Sequence, residues 1–268
     1  MRSAPDPSPF REDRGGRLLA PVTIVLAVAM LLVYFPFQHG ELTLGASRGI
    51  EFRCNAVEYG LIPYEVTHSG KQLTDPFCQP QPGGADEAGH EHPRTDPGIV
   101  ADAPTWLTVA SSTFMHGGLL QLGGSVLFLL IFGPRLERRL GPAGYLAVFL
   151  LAGLATAGAL IALAPDLPIA TIGSTGAVAG VIGAHLVLVR GARLTPFELP
   201  ASMLLAAWIL LQVAVANLDA AQPVAGAGGD IAYLVPAGGL ILGLLSAIRL
   251  NPRLAPEVRA CRTSAPPS

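Results

Sequence analysis

The sequence predicts an all-α membrane protein of six transmembrane helices, and three observations carry that reading. The chain is 51% apolar and only 13% charged, with a mean hydropathy of +0.50, a composition that departs from that of soluble domains. Six apolar segments, at about 20–37, 116–133, 143–163, 172–189, 201–217 and 231–248, each come near the roughly 20 residues that cross a bilayer as helix. Thirteen of the seventeen Lys and Arg fall on one side of a six-span chain: Arg2, Arg11, Arg14 and Arg17 before the first span, Arg135, Arg138 and Arg139 after the second, Arg190 and Arg193 after the fourth, and Arg249, Arg253, Arg259 and Arg262 after the sixth. That asymmetry puts both termini in the cytoplasm, and an odd number of spans would break it. A net charge of −2 without a basic patch points to no nucleic-acid partner.

Residues 1–17 read as a polar cytoplasmic tail, residues 18–249 as the membrane domain and residues 250–268 as a second cytoplasmic tail. The first span is expected to be retained. Val33-Tyr34-Phe35-Pro36-Phe37 is no small-residue cleavage site, and the apolar run is long for a signal peptide. The external loop, 38–108, begins with apolar character between Ile50 and Val66, suited to lying on the membrane or packing on the bundle. From Gln79 to Pro104 it is rich in Pro, Gly, Asp and Glu. Cys54 and Cys78 both fall in this loop, where a disulfide can persist; a bridge and two free thiols both remain open, because spacing does not establish geometry. His90-Glu91-His92 reads as solvated loop, with no further metal ligand fixed nearby.

The second span opens on Phe114-Met115-His116-Gly117-Gly118 and closes on Phe132-Gly133-Pro134-Arg135-Leu136-Glu137. His116 is expected at the water-accessible mouth, pinning the loop or the helix start. Glu137 is expected to pair locally with Arg138 and Arg139. The third span, Ala/Leu/Gly-rich, carries no chemistry. The fourth opens with Gly173-Ser174-Thr175-Gly176 and runs on through Gly180 and Gly183. At about 100° per residue these glycines share roughly a quarter of the helix circumference, a face on which another helix can reach backbone contact. Ser174 or Thr175 suits the N-cap position, and His185 reads as a packing or interfacial histidine. The fifth span follows Pro196 and Pro200. In the sixth, Ala232, Pro236, Gly239 and Gly243 share one narrow face, small enough to dock on the glycine face of the fourth and to point position 236 at its start.

Taken in order, Tyr59-Gly60-Leu61-Ile62-Pro63, Phe114-Met115-His116-Gly117-Gly118, Phe132-Gly133 with Glu137, Gly173-x-x-Gly176 with Gly180 and Gly183, and Ala232-Tyr233 with Gly238-Gly239 and Gly243 resemble the rhomboid family of intramembrane serine proteases, from the first span to the sixth. The resemblance implies a six-helix rhomboid-like bundle, no cofactor, and transmembrane segments of other proteins as partners within the lipid bilayer. It also implies a serine nucleophile in Gly-x-Ser-Gly, a histidine base on the last span, and an oxyanion pattern His-x-x-x-x-His-x-x-x-Asn on the second.

Here the nucleophile position is Thr175 and the base position Pro236; the oxyanion pattern reads His116, Gln121 and Ser125. A hydroxyl is a poor nucleophile until a base takes its proton, proline has nothing to take it with, and no histidine follows His185. Ser174, the fallback nucleophile, is rotated by about 100° from Thr175 and finds no base in the motif. Asp230 lies some 9 Å along the axis from position 236, and Tyr233 is neutral near pH 7. The expectation is therefore a catalytically inactive pseudoprotease that binds client transmembrane segments in a bacterial-type plasma membrane. The alternative is a divergent serine-type endopeptidase acting through Thr175 or Ser174. No span carries an ion pair or acid at its centre, which argues against a transporter.

Overall fold

The computed structural model describes residues 20–44, 47, 49–68, 103–189, 193–194, 199–219 and 231–250. These are almost entirely helical: α1 (Pro21–Leu32) running into a π-turn (Val33–Phe37), α2 (Ile50–Tyr59), α3 (Pro63–Thr67), α4 (Thr105–Ser111), α5 (Leu119–Leu163), α6 (Thr175–Leu188), α7 (Ala201–Asp219) and α8 (Ile231–Leu250). A two-residue antiparallel ladder, Arg193–Leu194 with Leu199–Pro200, precedes α7. Both chain tails, His90, His92, Cys78 and Asp230 lie outside the described residues.

The expected first span is continuous helix, with Pro36 inside the π-turn; a proline lacks the N–H of a regular turn, and π-geometry absorbs the disruption. The expected second and third spans form one 45-residue element broken at Gly141, whose φ of 74° suits glycine. The first arm runs on past Gly133-Pro134 to 140, seven residues beyond the expected end. Each arm is about 33 Å long at 1.5 Å per residue. The second arm folds back on the first, bringing the Tyr145 hydroxyl to 2.6 Å from where a Cβ on Gly133 would sit. Among the described residues α5 is the one helix long and apolar enough to cross a membrane alone; Pro21–Phe37, Thr175–Leu188, Ala201–Ala214 and Pro236–Ile248 are shorter apolar helices.

α6 lies at the centre, buried from Thr175 to His185 between α5 and α8. Its glycines explain how close the neighbours come. A Cβ on Gly239 would collide with the Gly176 carbonyl, one on Gly243 with the Gly180 carbonyl, and one on Gly183 with the Leu240 carbonyl. The constant offset between 176/239 and 180/243 makes α6 and α8 parallel and in register. Backbone this close admits Cα–H···O contacts and dense packing that side chains would prevent. On its other side Gly180 meets Ala152 and Gly176 meets Thr156, both on the second arm of α5. Large apolar side chains instead face outward: Ile24, Val25 and Leu32 on α1, Leu127, Leu151 and Leu154 on α5, Leu210 on α7. A small-residue interior inside an apolar exterior is how helices pack where lipid is the solvent.

The segment that follows the first helix, expected as the early external loop, packs on the bundle. Phe52 and Ala56 of α2 are buried, with the Phe52 ring edge-on to Tyr34. Leu61 pairs with Thr171 in an antiparallel bridge. Cys54 is disulfide-bonded.

Candidate functional site

The candidate site is the junction between the turn 112–118, the start of α6 and the first half of α8. The turn is irregular backbone, so its polar groups need partners, and most come from far along the chain. The Gly173 amide donates to the Ser112 carbonyl at 2.9 Å, the Ser47 amide to the Gly117 carbonyl at 2.8 Å, and the Leu119 amide to the Thr43 carbonyl at 3.3 Å. The fully buried Gln38 side chain grips the His116 backbone at both ends: its Oε1 accepts from the His116 amide (2.9 Å) and its Nε2 donates to the His116 carbonyl (3.3 Å).

His116 is fully buried, not at a wet mouth. Its Nδ1 lies 3.1 Å from the Phe114 carbonyl and its Nε2 2.9 Å from Ser174 Oγ. A carbonyl only accepts, so Nδ1 carries the proton, Nε2 of the neutral ring accepts, and the Ser174 hydroxyl donates. Ser174 is the N-cap residue of α6, yet its hydroxyl makes no cap bond; His116 takes it instead. The motif alone gave Ser174 no base. The fold supplies an imidazole from 58 residues away, and nothing in the local sequence signals that pairing. Both side chains are sealed from solvent.

Thr175, the first residue of α6, is 8% exposed and is not the hydroxyl that His116 meets. Gln121 Oε1 accepts from the Gly117 amide at 2.6 Å, and its Nε2 lies 3.4 Å from the Ile172 carbonyl. That amide group presses on Gly173: a Cβ there would lie 2.5 Å from Gln121 Nε2, and Gly173 sits at φ 141°. Ser125 is buried one turn further along α5. Pro236 is buried in α8, three residues before Gly239. Since Gly239 rests on Gly176, position 236 falls by register at the level of Gly173. Ala232 lies in α8 with its side chain outside the described residues, as does that of Tyr233. The site thus gathers His116, Gln121, Gly173, Ser174 and Thr175, with Pro236 level with them. Among the described residues no group of three His, Cys, Asp or Glu forms that could hold a metal.

One polar residue elsewhere, Glu137, behaves unlike its sequence reading. Glu137 does not pair locally: Oε1 accepts from the Val22 amide (3.0 Å), and Oε2 from the Thr23 amide (2.9 Å) and the Thr23 hydroxyl (2.7 Å). It caps the start of α1 from the far end of the first α5 arm. His185 is buried within the helix bundle, with Nδ1 3.0 Å from the Phe132 carbonyl and the Phe132 ring edge-on at 5.0 Å.

The family model described as Rhomboid domain matches residues 103–253, more than half of the chain and all of α4 to α8. No curated protein matches it. The chain belongs to the rhomboid family and is an integral membrane protein of the lipid bilayer.

Proposed function

We propose that this rhomboid-family protein binds transmembrane segments of client proteins and does not cut them. It is a pseudoprotease with six spans, both termini in the cytoplasm, in a bacterial-type plasma membrane. Residues 18–249 form the membrane domain between two short cytoplasmic tails. The observation that carries this reading is the pairing of a proline at the base position with the engagement of the one nearby imidazole elsewhere. Pro236 has no proton acceptor on its ring, and His116 is bonded to Ser174 rather than to Thr175. Losing one member of a nucleophile–base set costs several orders of magnitude in rate, and Gln121 replaces a second polar group of the family pattern. What remains supports binding: the glycine-packed centre, the apolar exterior, and the α5–α7 side. There Leu211 seats against Gly124, while Gly123 beside it faces open space.

The test uses reconstituted membranes and a generic rhomboid substrate with a destabilised transmembrane helix. The wild type is expected to leave it intact. A restored form carrying Gln121→His, Ser125→Asn, Thr175→Ser and Pro236→His is expected to cut it. Cleavage by the wild type would overturn the reading.

One observation favours a second reading, a divergent endopeptidase. The Ser174 hydroxyl, the His116 imidazole and the Phe114 carbonyl stand in the order nucleophile, base, orienting group. That reading requires an opening that admits substrate to two sealed side chains. It predicts wild-type cleavage, and labelling by a serine-hydrolase probe, both abolished in Ser174→Ala and kept in Thr175→Ala.

A further inference from the structure

Cys54 is disulfide-bonded, and the chain holds three cysteines, so within one molecule its partner is Cys78 or Cys261. Both of those lie outside the described residues, but the fold chooses between them. Cys54 sits on α2, where Phe52, Ala56 and Gly60 are buried one turn apart; at about 100° per residue, position 54 falls on the opposite face, away from the bundle. α2 ends beside the start of α6, because Leu61 pairs with Thr171, just before Thr175 opens that helix. α8 runs parallel to α6 with Gly239 resting on Gly176, so its last residue, Leu250, lies about 16 Å further along the axis, toward the other face of the bundle. A chain returning from there to α2 would carry Arg253, Glu257 and Arg259 along the apolar exterior, where lipid satisfies neither charges nor free backbone groups.

We infer that Cys54 and Cys78 are joined by a disulfide on the non-cytoplasmic face, and that a thiol–disulfide oxidoreductase of that compartment makes it. Such bonds form and persist outside the cytoplasm. The inference rests on the orientation proposed above, and not on whether the protein cuts its clients. Two protons and two electrons leave the two thiols as the S–S bond forms; the oxidoreductase's own disulfide takes them up and becomes a dithiol. Only 23 residues lie between the two cysteines, and they include the contacts that support the site from this side. Leu61 holds Thr171 by two backbone bonds (3.0 and 2.8 Å), the Tyr64 amide donates to the Leu167 carbonyl (3.2 Å), and the Thr67 hydroxyl donates to the Pro165 carbonyl (2.8 Å). All of them grip the segment 165–171, which runs directly into Gly173 and Ser174. Closing the ring removes freedom from this part of the opened chain, so the bond helps to hold α3 against that segment.

Peptide mapping tests the bond in the whole chain expressed in bacterial membranes. Free thiols are alkylated in denaturant, and trypsin then cuts without prior reduction, leaving Cys54 on residues 54–71 and Cys78 on residues 72–94. The expected product is these two peptides linked, with the alkyl label on Cys261 alone. Label on Cys54 and Cys78, a link to Cys261, or a link to a second chain overturns the bond. In a host lacking the periplasmic oxidoreductase, the labelled fraction of Cys54 and Cys78 should rise several-fold; an unchanged fraction overturns the assignment of the oxidant. After reduction, a membrane-impermeant maleimide added to spheroplasts is expected to reach both thiols. Failure to reach them overturns the orientation, whereas labelling without the linked product overturns the bond alone. With Cys54→Ser and Cys78→Ser together, amide exchange at Leu61 and Thr171 is expected to quicken several-fold while Gly180 in the α6 core keeps its protection. Unchanged exchange at Leu61 and Thr171 overturns the role of the ring, and the mapping of the wild type stands even if the double variant fails to fold.

Discussion

Glu137→Gln is the sharpest probe of how this bundle is fastened. The carboxylate is 2% exposed and accepts three bonds, from the Val22 amide, the Thr23 amide and the Thr23 hydroxyl. The first-turn amides of α1 have no carbonyl of their own to meet, so Glu137 supplies what an N-cap would, from a distant helix. An amide in its place keeps one accepting oxygen and turns an NH₂ toward donors. At least one buried donor then goes unmet, and the favourable interaction of a negative charge with the helix N-terminus is lost. Hydrogen bonds to charged groups are worth about 1.5–3 kcal/mol each, and the dipole interaction adds about 0.5–1 kcal/mol. The loss should be about 2–4 kcal/mol, or a fall in Tm of roughly 5–15 °C at 2–4 °C per kcal/mol. Thermal unfolding in detergent measures it, with Thr23→Val and the double variant completing a cycle. Because the two residues share bonds, the double loss should fall short of the sum by at least about 0.5 kcal/mol. A Glu137→Gln protein melting with the wild type, or fully additive losses, would refute the capping argument.

Adjacent glycines on α8 offer a paired control. Gly239→Ala drives a methyl into the Gly176 carbonyl, whereas a Cβ at Gly238 meets nothing within 4 Å; the first should cost at least about 3 kcal/mol and the second should gain about 0.5–1 kcal/mol from helix propensity, read as opposite shifts in Tm. Gly243→Ala should resemble Gly239→Ala, since its methyl meets the Gly180 carbonyl. Gln38→Ala should lower Tm by a few degrees, from about 1–3 kcal/mol of unmet buried groups around His116; an unchanged melting curve would remove Gln38 from the account of the site.

The sequence revealed what depends on local composition and period. The glycine spacing of α6 and the small-residue spacing of α8 marked faces suited to backbone contact, because helical periodicity alone decides which residues share a side. The glycine at 141 was less legible: the reading ended the second span at Gly133-Pro134, yet the helix absorbs that proline and breaks where a positive φ is needed. Least legible were polar partners joined only by the fold. Glu137 finds Thr23 across 114 residues and Gln38 finds His116 across 78. Neighbouring arginines made a local pairing for Glu137 the simpler inference, and nothing beside Ser174 announces an imidazole.

Pro236 shows how a proline at the base position fits the packing around it. A proline inside α8 donates no bond to the carbonyl four residues earlier, at position 232, so the helix carries a defect near its start. Its tolerance follows from the register just below: Gly239 and Gly243 lock α8 onto α6 through backbone contact, and that packing does not use the missing bond. Replacing the proline therefore should not loosen the bundle. Pro236→Ala restores the amide donor and should hold or raise Tm, by up to about 3 kcal/mol of stability. Pro236→His should do so less, since its ring must fit a buried place beside Gly173. With Thr175 unchanged, Pro236→His alone should give at most trace cleavage, because Gln121 still occupies the ground beside Gly173; adding Thr175→Ser and Gln121→His should raise it. A Pro236→Ala protein that melts well below the wild type would show that the proline ring itself holds α8 in place.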